Sequence, residues 1–246
     1  MNKTMAATIC AAAISAFATI ASAEAIATIA SIEGNASILR KNAADWRPAR
    51  PNMSLELGDQ LFAREESFVE VRYAIGTVIR LDENTKITLE VANEQAIKTT
   101  TGVGKVWINM KKITTKGRKF DVSSPTATAS IRGTSYAMST SSDSTTAVSV
   151  YDGKVAVGPG DELARKQKAE KKTTYSERVE VGGPEEIPGP YEVSLEDWRA
   201  IVSGQQISVR KDGKFLQEKF DPKAMAAKDS FIKKNQEMDK QMMENK

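Results

Sequence analysis

Seven times between residues 34 and 204 a glycine opens a short run in which apolar and polar residues alternate. The runs are "EGNASIL" at Gly34, "LGDQLFA" at Gly58, "IGTVIRL" at Gly76, "VGKVWIN" at Gly104, "RGTSYAM" at Gly133, "DGKVAVG" at Gly153 and "SGQQISV" at Gly204. A period of two places successive side chains on opposite faces, the pattern of a half-buried strand. A glycine before each run supplies backbone freedom for a corner. The spacing is uneven, which argues against a true repeat array. The expected fold is therefore all-β, a compact β-sandwich or a β-solenoid-like stack of short strands.

Individual runs sharpen this. "SFVEVRYAI" sets Val69, Val71, Tyr73 and Ile75 on one face, with Phe68, Glu70, Arg72 and Ala74 on the other. In "TVIRLDENTKITLE", Ile79 and Leu81 precede a turn at 82–84, and Ile87 and Leu89 follow it. Asp152-Gly153 between two alternating runs is a strong hairpin signal. It predicts Val150 opposite Val155 and Val148 opposite Val157.

The start of the chain is set aside from the fold. Lys3, an apolar Ala-rich run and "ASA" ending at Ala23 have the layout of a secretory leader, with cleavage expected between Ala23 and Glu24. The run falls short of the ~20 strongly apolar residues of a membrane span, and no transmembrane segment is expected after it. The one cysteine, Cys10, lies in the leader, and the chain contains no histidine. Residues 24–246 thus offer no disulfide, no thiol nucleophile and no imidazole base or ligand. Carboxylates, Lys, Tyr and Ser remain. The formal charge is +3, with signs interspersed along the chain, unlike the basic stripe of a nucleic-acid binder. No metal or cofactor is expected.

Five segments follow: a leader over 1–23, a β domain over 24–160, a charged and Pro/Gly-rich linker over 161–192, a small helix–strand extension over 193–221, and a C-terminal helix or tail over 222–246. Ser194 with Asp197 predicts a helix start, and Ile207–Arg210 a strand. In the tail, Phe231, Met238 and Met242 make a weak apolar stripe, expected to dock loosely and fray.

The stretch "PTATASIRGTSYAM", taken as one strand, has a small face of Ala127, Ala129, Ile131, Gly133, Ser135 and Ala137. The other face carries hydroxyls with Arg132. Gly133 would mark a point of close approach, with Arg132 directed away from it toward solvent or a carboxylate.

Together with "DWRPARPNMSLELGDQLFAREESFVEVRYAIGTVIRLDENTKITL", "GKVWINM" and "VSVYDGKVAVG", this stretch resembles the FecR domain family, periplasmic all-β domains first named from regulators of iron-siderophore uptake. The resemblance covers about Ile26 to Gly158. It rests on Trp46, the Leu57-Gly58-Asp59 corner, the Gly76-Thr77 strand entry, Pro125 to Thr134 ending in Arg132-Gly133-Thr134, and the Val148–Val157 run around Gly153. It implies a structural role for these motif residues and no catalytic one. Signal-transducing members place an anti-sigma segment and a membrane helix ahead of the domain; here a leader stands directly before it, which implies a stand-alone exported protein.

The expected function is a non-enzymatic protein-interaction or sensory scaffold module of the cell envelope, working in the periplasm and open to a role in signal transduction. Its partner would be an envelope protein or a cell-wall glycan. The alternative is a carbohydrate- or peptidoglycan-binding module, and less so a carboxylate-dependent glycan-active enzyme. Glu65-Glu66, Asp82-Glu83 and Glu185-Glu186 are neighbours in sequence, so they do not face one another across a sugar. Trp107 alternates with Asn109 and is the tryptophan expected to be exposed.

Overall fold

A computed structural model of the chain describes residues 25–93, 96–110, 119–131, 133–165 and 198–244. The alternating runs do form strands, in two nine-stranded sheets. The first sheet takes β1 (Ala27–Glu33), β4 (Ser54–Leu55), β6 (Phe68–Tyr73), β7 (Thr77–Leu81), β10 (Gly104–Met110), β13 (Ser135–Thr140), β14 (Thr146–Asp152), β17 (Gln205–Val209) and β18 (Phe215–Lys219). The second takes β2 (Ala36–Leu39), β3 (Arg47–Pro48), β5 (Gln60–Ala63), β8 (Thr85–Asn93), β9 (Ala96–Thr101), β11 (Lys119–Ser123), β12 (Ala127–Ile131), β15 (Lys154–Pro159) and β16 (Arg199–Val202).

The spatial order nearly follows the chain. The first sheet runs β4-β1-β6-β7-β10-β13-β14-β17-β18 and the second β3-β2-β5-β8-β9-β11-β12-β15-β16. The chain lays one or two strands on one sheet, crosses, and resumes one step further along the other. The result is a sandwich built with the progression of a solenoid. Pairing is antiparallel except between β9 and β11, which run parallel.

Each described crossing between sheets contains a residue with positive φ: Gly34, Asn52, Gly58, Glu66, Asn84, Gly104, Gly133, Gly153 and Gly204. Sterics also demand glycine at three of them, and at Gly104 a Cβ would lie 2.4 Å from Thr85 Oγ1. A Cβ on Gly34 would lie 2.5 Å from Ser67 Oγ, and one on Gly153 2.7 Å from Thr134 Cγ2 and 2.9 Å from the Gly133 carbonyl.

Two sequence expectations change here. The stretch 126–137 is not one strand: β12 belongs to the second sheet and β13 to the first, with Gly133 at the crossing. Nor does Asp152-Gly153 close a hairpin. β14 pairs with β13 and β17, and β15 with β12 and β16. Val148, Val150, Val155 and Val157 are nevertheless all buried, because they face one another across the sandwich instead of along a ladder.

The inward residues form one core, including Val69, Val71, Ile79, Leu81, Ile87, Leu89, Val106, Ile108 and Phe120. Each such side chain contributes about 2 kcal/mol by leaving water. β16, β17 and β18, from the expected extension, add strands to the same two sheets. The helix start at Ser194 lies outside the described residues.

The outer face of the first sheet is covered as well. Asp221 caps α1 (Pro222–Lys228) by accepting from the Lys223 N–H at 2.9 Å. Asp229 then accepts from the Ile232 N–H at 3.2 Å at the start of α2 (Ser230–Glu244). Phe231 and Ile232 of α2 pack on Phe68, Trp107 and Ala137 of the sheet. The tail is therefore firmly docked, contrary to the loosely held helix expected from its weak stripe. Among the described residues, no helix is long and apolar enough to cross a membrane.

Candidate functional site

The family-motif residues fall at corners. Gly58 donates to the Leu89 carbonyl at 2.7 Å and returns the chain into β5. Asp59 is buried and organises the loop: its carboxylate accepts from Arg40 Nη1 at 2.7 Å, from the Lys41 N–H at 3.0 Å and from the Glu56 N–H at 2.9 Å. Gly76 turns β6 into β7, its N–H bonding the Tyr73 carbonyl at 2.9 Å. Thr77 pairs with Met110 of β10, whose N–H on the other side donates to the Thr134 carbonyl. The fold thus brings Thr77 and Thr134 to either side of Met110, with Gly133 and Gly153 packed against Thr134. Arg132, Ala23 and Glu24 lie outside the described residues.

This corner is buried and poor in chemistry. The hydroxyls of Thr77, Thr134 and Tyr136 are buried without a hydrogen-bond partner. Burial pushes the Tyr136 phenol well above its ordinary pKa, and the charge of Asp121 adds to that. Tyr73 is raised for the same first reason, against a 2.6 Å hydrogen bond with Thr99. Among the described residues no group of three or more acidic side chains is arranged to hold a metal ion.

The densest charge lies elsewhere, on the outer face of the first sheet. Arg80 of β7 points away from the core between Ile79 and Leu81, yet no part of it reaches solvent. Its Nε donates to Glu70 Oε2 at 2.7 Å, and its Nη1 to Asp239 Oδ1 at 2.6 Å and Asn235 Oδ1 at 3.3 Å. Its Nη2 approaches Met242 Sδ at 3.1 Å. Asp239 Oδ2 accepts from Trp107 Nε1 at 2.9 Å, while Glu70 Oε1 holds Arg72. Lys105 ties Asp229 at 2.5 Å, and Lys234 reaches Glu33 at 2.6 Å across the ring of Phe68. Asp82, beside Lys105, has its pKa raised by burial, which that lysine partly offsets.

Sequence reasoning did not find this network. Its one signal was on the tail: Asn235 and Asp239 lie four and eight residues after Phe231, on the face that carries the apolar stripe. Polar groups there require a charged partner. Both carboxylates, Glu70 and Asp239, are hydrogen-bonded to one buried guanidinium.

Trp107 and Trp46 were expected otherwise too. Trp107, expected to be exposed, is 1% exposed beneath α2. Trp198 lies against Gly158, where a Cβ would come within 2.7 Å of its ring. Trp46 is 38% exposed and meets Phe62 edge-on at 6.2 Å.

The sheet edges differ in kind. β3 and β4, at one end of the sandwich, are two residues each, and β3 contains Pro48. β18, at the other end, is five residues long, pairs only with β17 and is largely exposed, with Leu216 46% exposed. The Arg210 N–H bonds the Lys214 carbonyl, and the Phe220 N–H bonds the Gly204 carbonyl. By alternation, the N–H groups of Phe215, Gln217 and Lys219 face away from β17.

Two crystal structures of a "putative anti-sigma factor" from Parabacteroides distasonis ATCC 8503 are similar at 19% identity with a TM-score of 0.47. The alignments cover 68% of this chain and 63% and 62% of those chains, so the chain spans under two thirds of their length. No curated protein matches. Residues 59–156 match the family described as FecR protein. They run from Asp59 into β15 and take in the Gly76-Thr77 turn, the Gly133-Thr134 crossing and the Gly153 corner. This part of the chain is similar to the FecR family.

Proposed function

We propose that the chain is an exported, non-enzymatic protein of the cell envelope, whose β domain serves in the periplasm as a protein-interaction and sensory scaffold module. The observation that carries this reading is the exposed edge of β18, five residues of strand with outward N–H groups and no neighbour among the described residues. Such an edge accepts a partner's strand by main-chain hydrogen bonds. The similarity to the FecR family and the leader-like start support the same reading.

The test is chemical crosslinking of the tagged chain in its native envelope, with mass spectrometry of what is recovered. A single stoichiometric protein is expected for the wild type. Gln217→Pro removes an outward donor without touching a ladder bond to β17, so it should abolish that recovery while moving stability by under ~1 kcal/mol. Recovery of cell-wall glycan without protein would favour the carbohydrate reading, for which exposed Trp46 is the available stacking face.

A further inference from the structure

We infer that the strand taken up at the β18 edge is β18 of a second copy of this chain, the two running antiparallel about a two-fold axis beside Leu216. The inference rests on the reading of that edge as a docking site and names its occupant. β18 alternates between two environments. Phe215, Gln217 and Lys219 lie on the core side of the sheet, opposite Val209, Ile207 and Gln205, while Leu216 and Glu218 lie on the outer side, opposite Ser208 and Gln206. Phe215 packs against the core beneath the Arg199 guanidinium, 5.3 Å from its ring centre, which holds the strand in place. Lys214, whose carbonyl accepts from the Arg210 N–H, continues the outer row by alternation.

The outer row therefore reads ammonium, apolar, carboxylate: Lys214, Leu216 and Glu218, all exposed. A strand laid against it must read carboxylate, apolar, ammonium in the same direction, and the same row turned end for end does so. Leu216 then meets Leu216 of the second copy, and Lys214 and Glu218 meet its Glu218 and Lys214. This is the self-complementarity of an isologous two-fold interface, in which each contact occurs twice. Opposite charges in facing positions stabilise a ladder and like charges weaken it. The backbone agrees with the side chains. Phe215 and Gln217, whose N–H groups face away from β17, fall opposite Gln217 and Phe215 of the second copy as hydrogen-bonded pairs, with Leu216 in the closer non-hydrogen-bonded position between them. Competing arrangements lose these contacts. Sliding the pairing by one pleat sets Leu216 against Glu218 in one direction and Glu218 against Asp212 in the other. A parallel copy sets Lys214 on Lys214 and Glu218 on Glu218. Within the chain, Lys214 meets Asp212 of its own turn at 3.5 Å, an exposed pair that offers little competition.

The test is sedimentation equilibrium of the purified chain at low salt, where exposed charges are least screened. Wild type should show a monomer–dimer equilibrium. Gln217→Pro removes an outward donor and should abolish the dimer. Lys214→Glu sets Glu against Glu218, and Glu218→Lys sets Lys against Lys214; each appears twice in the dimer and should raise its Kd about tenfold. The two single variants, mixed, regain both ion pairs and should form mixed dimers, and the double variant should return close to the wild-type Kd. A merely structural effect of either exposed substitution would not be reversed by mixing. The inference is overturned if wild type is monomeric at about 0.1 mM chain, if the reversals leave the dimer unchanged, or if mixing does not restore it. Crosslinking in the native envelope separates this failure from that of the edge itself. A different protein recovered from wild type and lost with Gln217→Pro overturns the second copy and leaves the edge as a docking site. Recovery that survives Gln217→Pro overturns both.

Discussion

Arg80 has two carboxylates and is fully buried, so the consequences of removing a partner are large and unequal. Asp239→Ala leaves a buried guanidinium half-paired and the Trp107 N–H unsatisfied. It is expected to lower stability by about 3–5 kcal/mol, measured as the shift in urea midpoint at constant m-value. Removing all three charges together with Glu70→Leu, Arg80→Met and Asp239→Leu should cost much less, because no charge is then stranded. The core tyrosines make a second prediction. Tyr73 and Tyr136 are held above an unfolded pKa of 10.0 by burial. Their contribution is intact below about pH 10 and is lost as pH rises beyond it, since the unfolded chain then releases protons the folded chain keeps. Tyr73→Phe should flatten the fall in stability above pH 10 by ~1.4 kcal/mol per pH unit, read from urea midpoints between pH 8 and 11. Tyr136→Phe should do the same and, having no hydrogen bond to lose, should raise stability at neutral pH by about 1 kcal/mol.

Corners set the course of the strands. Gly76→Ala meets open space and bears only the strain of a positive φ, about 1 kcal/mol. Gly153→Ala also drives a methyl into Thr134 and the Gly133 carbonyl. It should cost at least ~2 kcal/mol more, compared by thermal melts of the two variants. What was legible in the sequence follows from this division. Alternation is local, so the inward residues Val69, Val71, Ile79, Ile87 and Val148 could be assigned before any pairing was known. A turn signal does not say which sheet the next strand enters, and so Asp152-Gly153 looked like a hairpin and 126–137 like one strand. The corner glycines of the motif were visible, but the gathering of Thr77 and Thr134 at Met110 was not, because it depends on β10 lying between β7 and β13. Arg80 was invisible as a buried charge, since its partner Asp239 lies 159 residues away.

At the scale of the molecule, the two sheets grow nearly in chain order toward β16 and β18, while α2 returns to cover β6, β7, β10 and β13. That order bears on how the protein comes into being. Each sheet can extend by adding its next strand to one already placed. The contacts of α2 close far longer loops, 159 residues between Arg80 and Asp239 and 201 between Glu33 and Lys234. Until residue 239 has emerged, the outer face of the first sheet presents Glu70 and Arg80 to water as a solvated ion pair. Its charge opposes the sticking together of unfinished sheets. Docking of α2 is then a late step with a long loop to close, and in refolding kinetics Trp107 should become protected in a phase slower than the strands. The buried arginine thus ties an early strand to a late helix: the face is sealed only after residue 239 has been made.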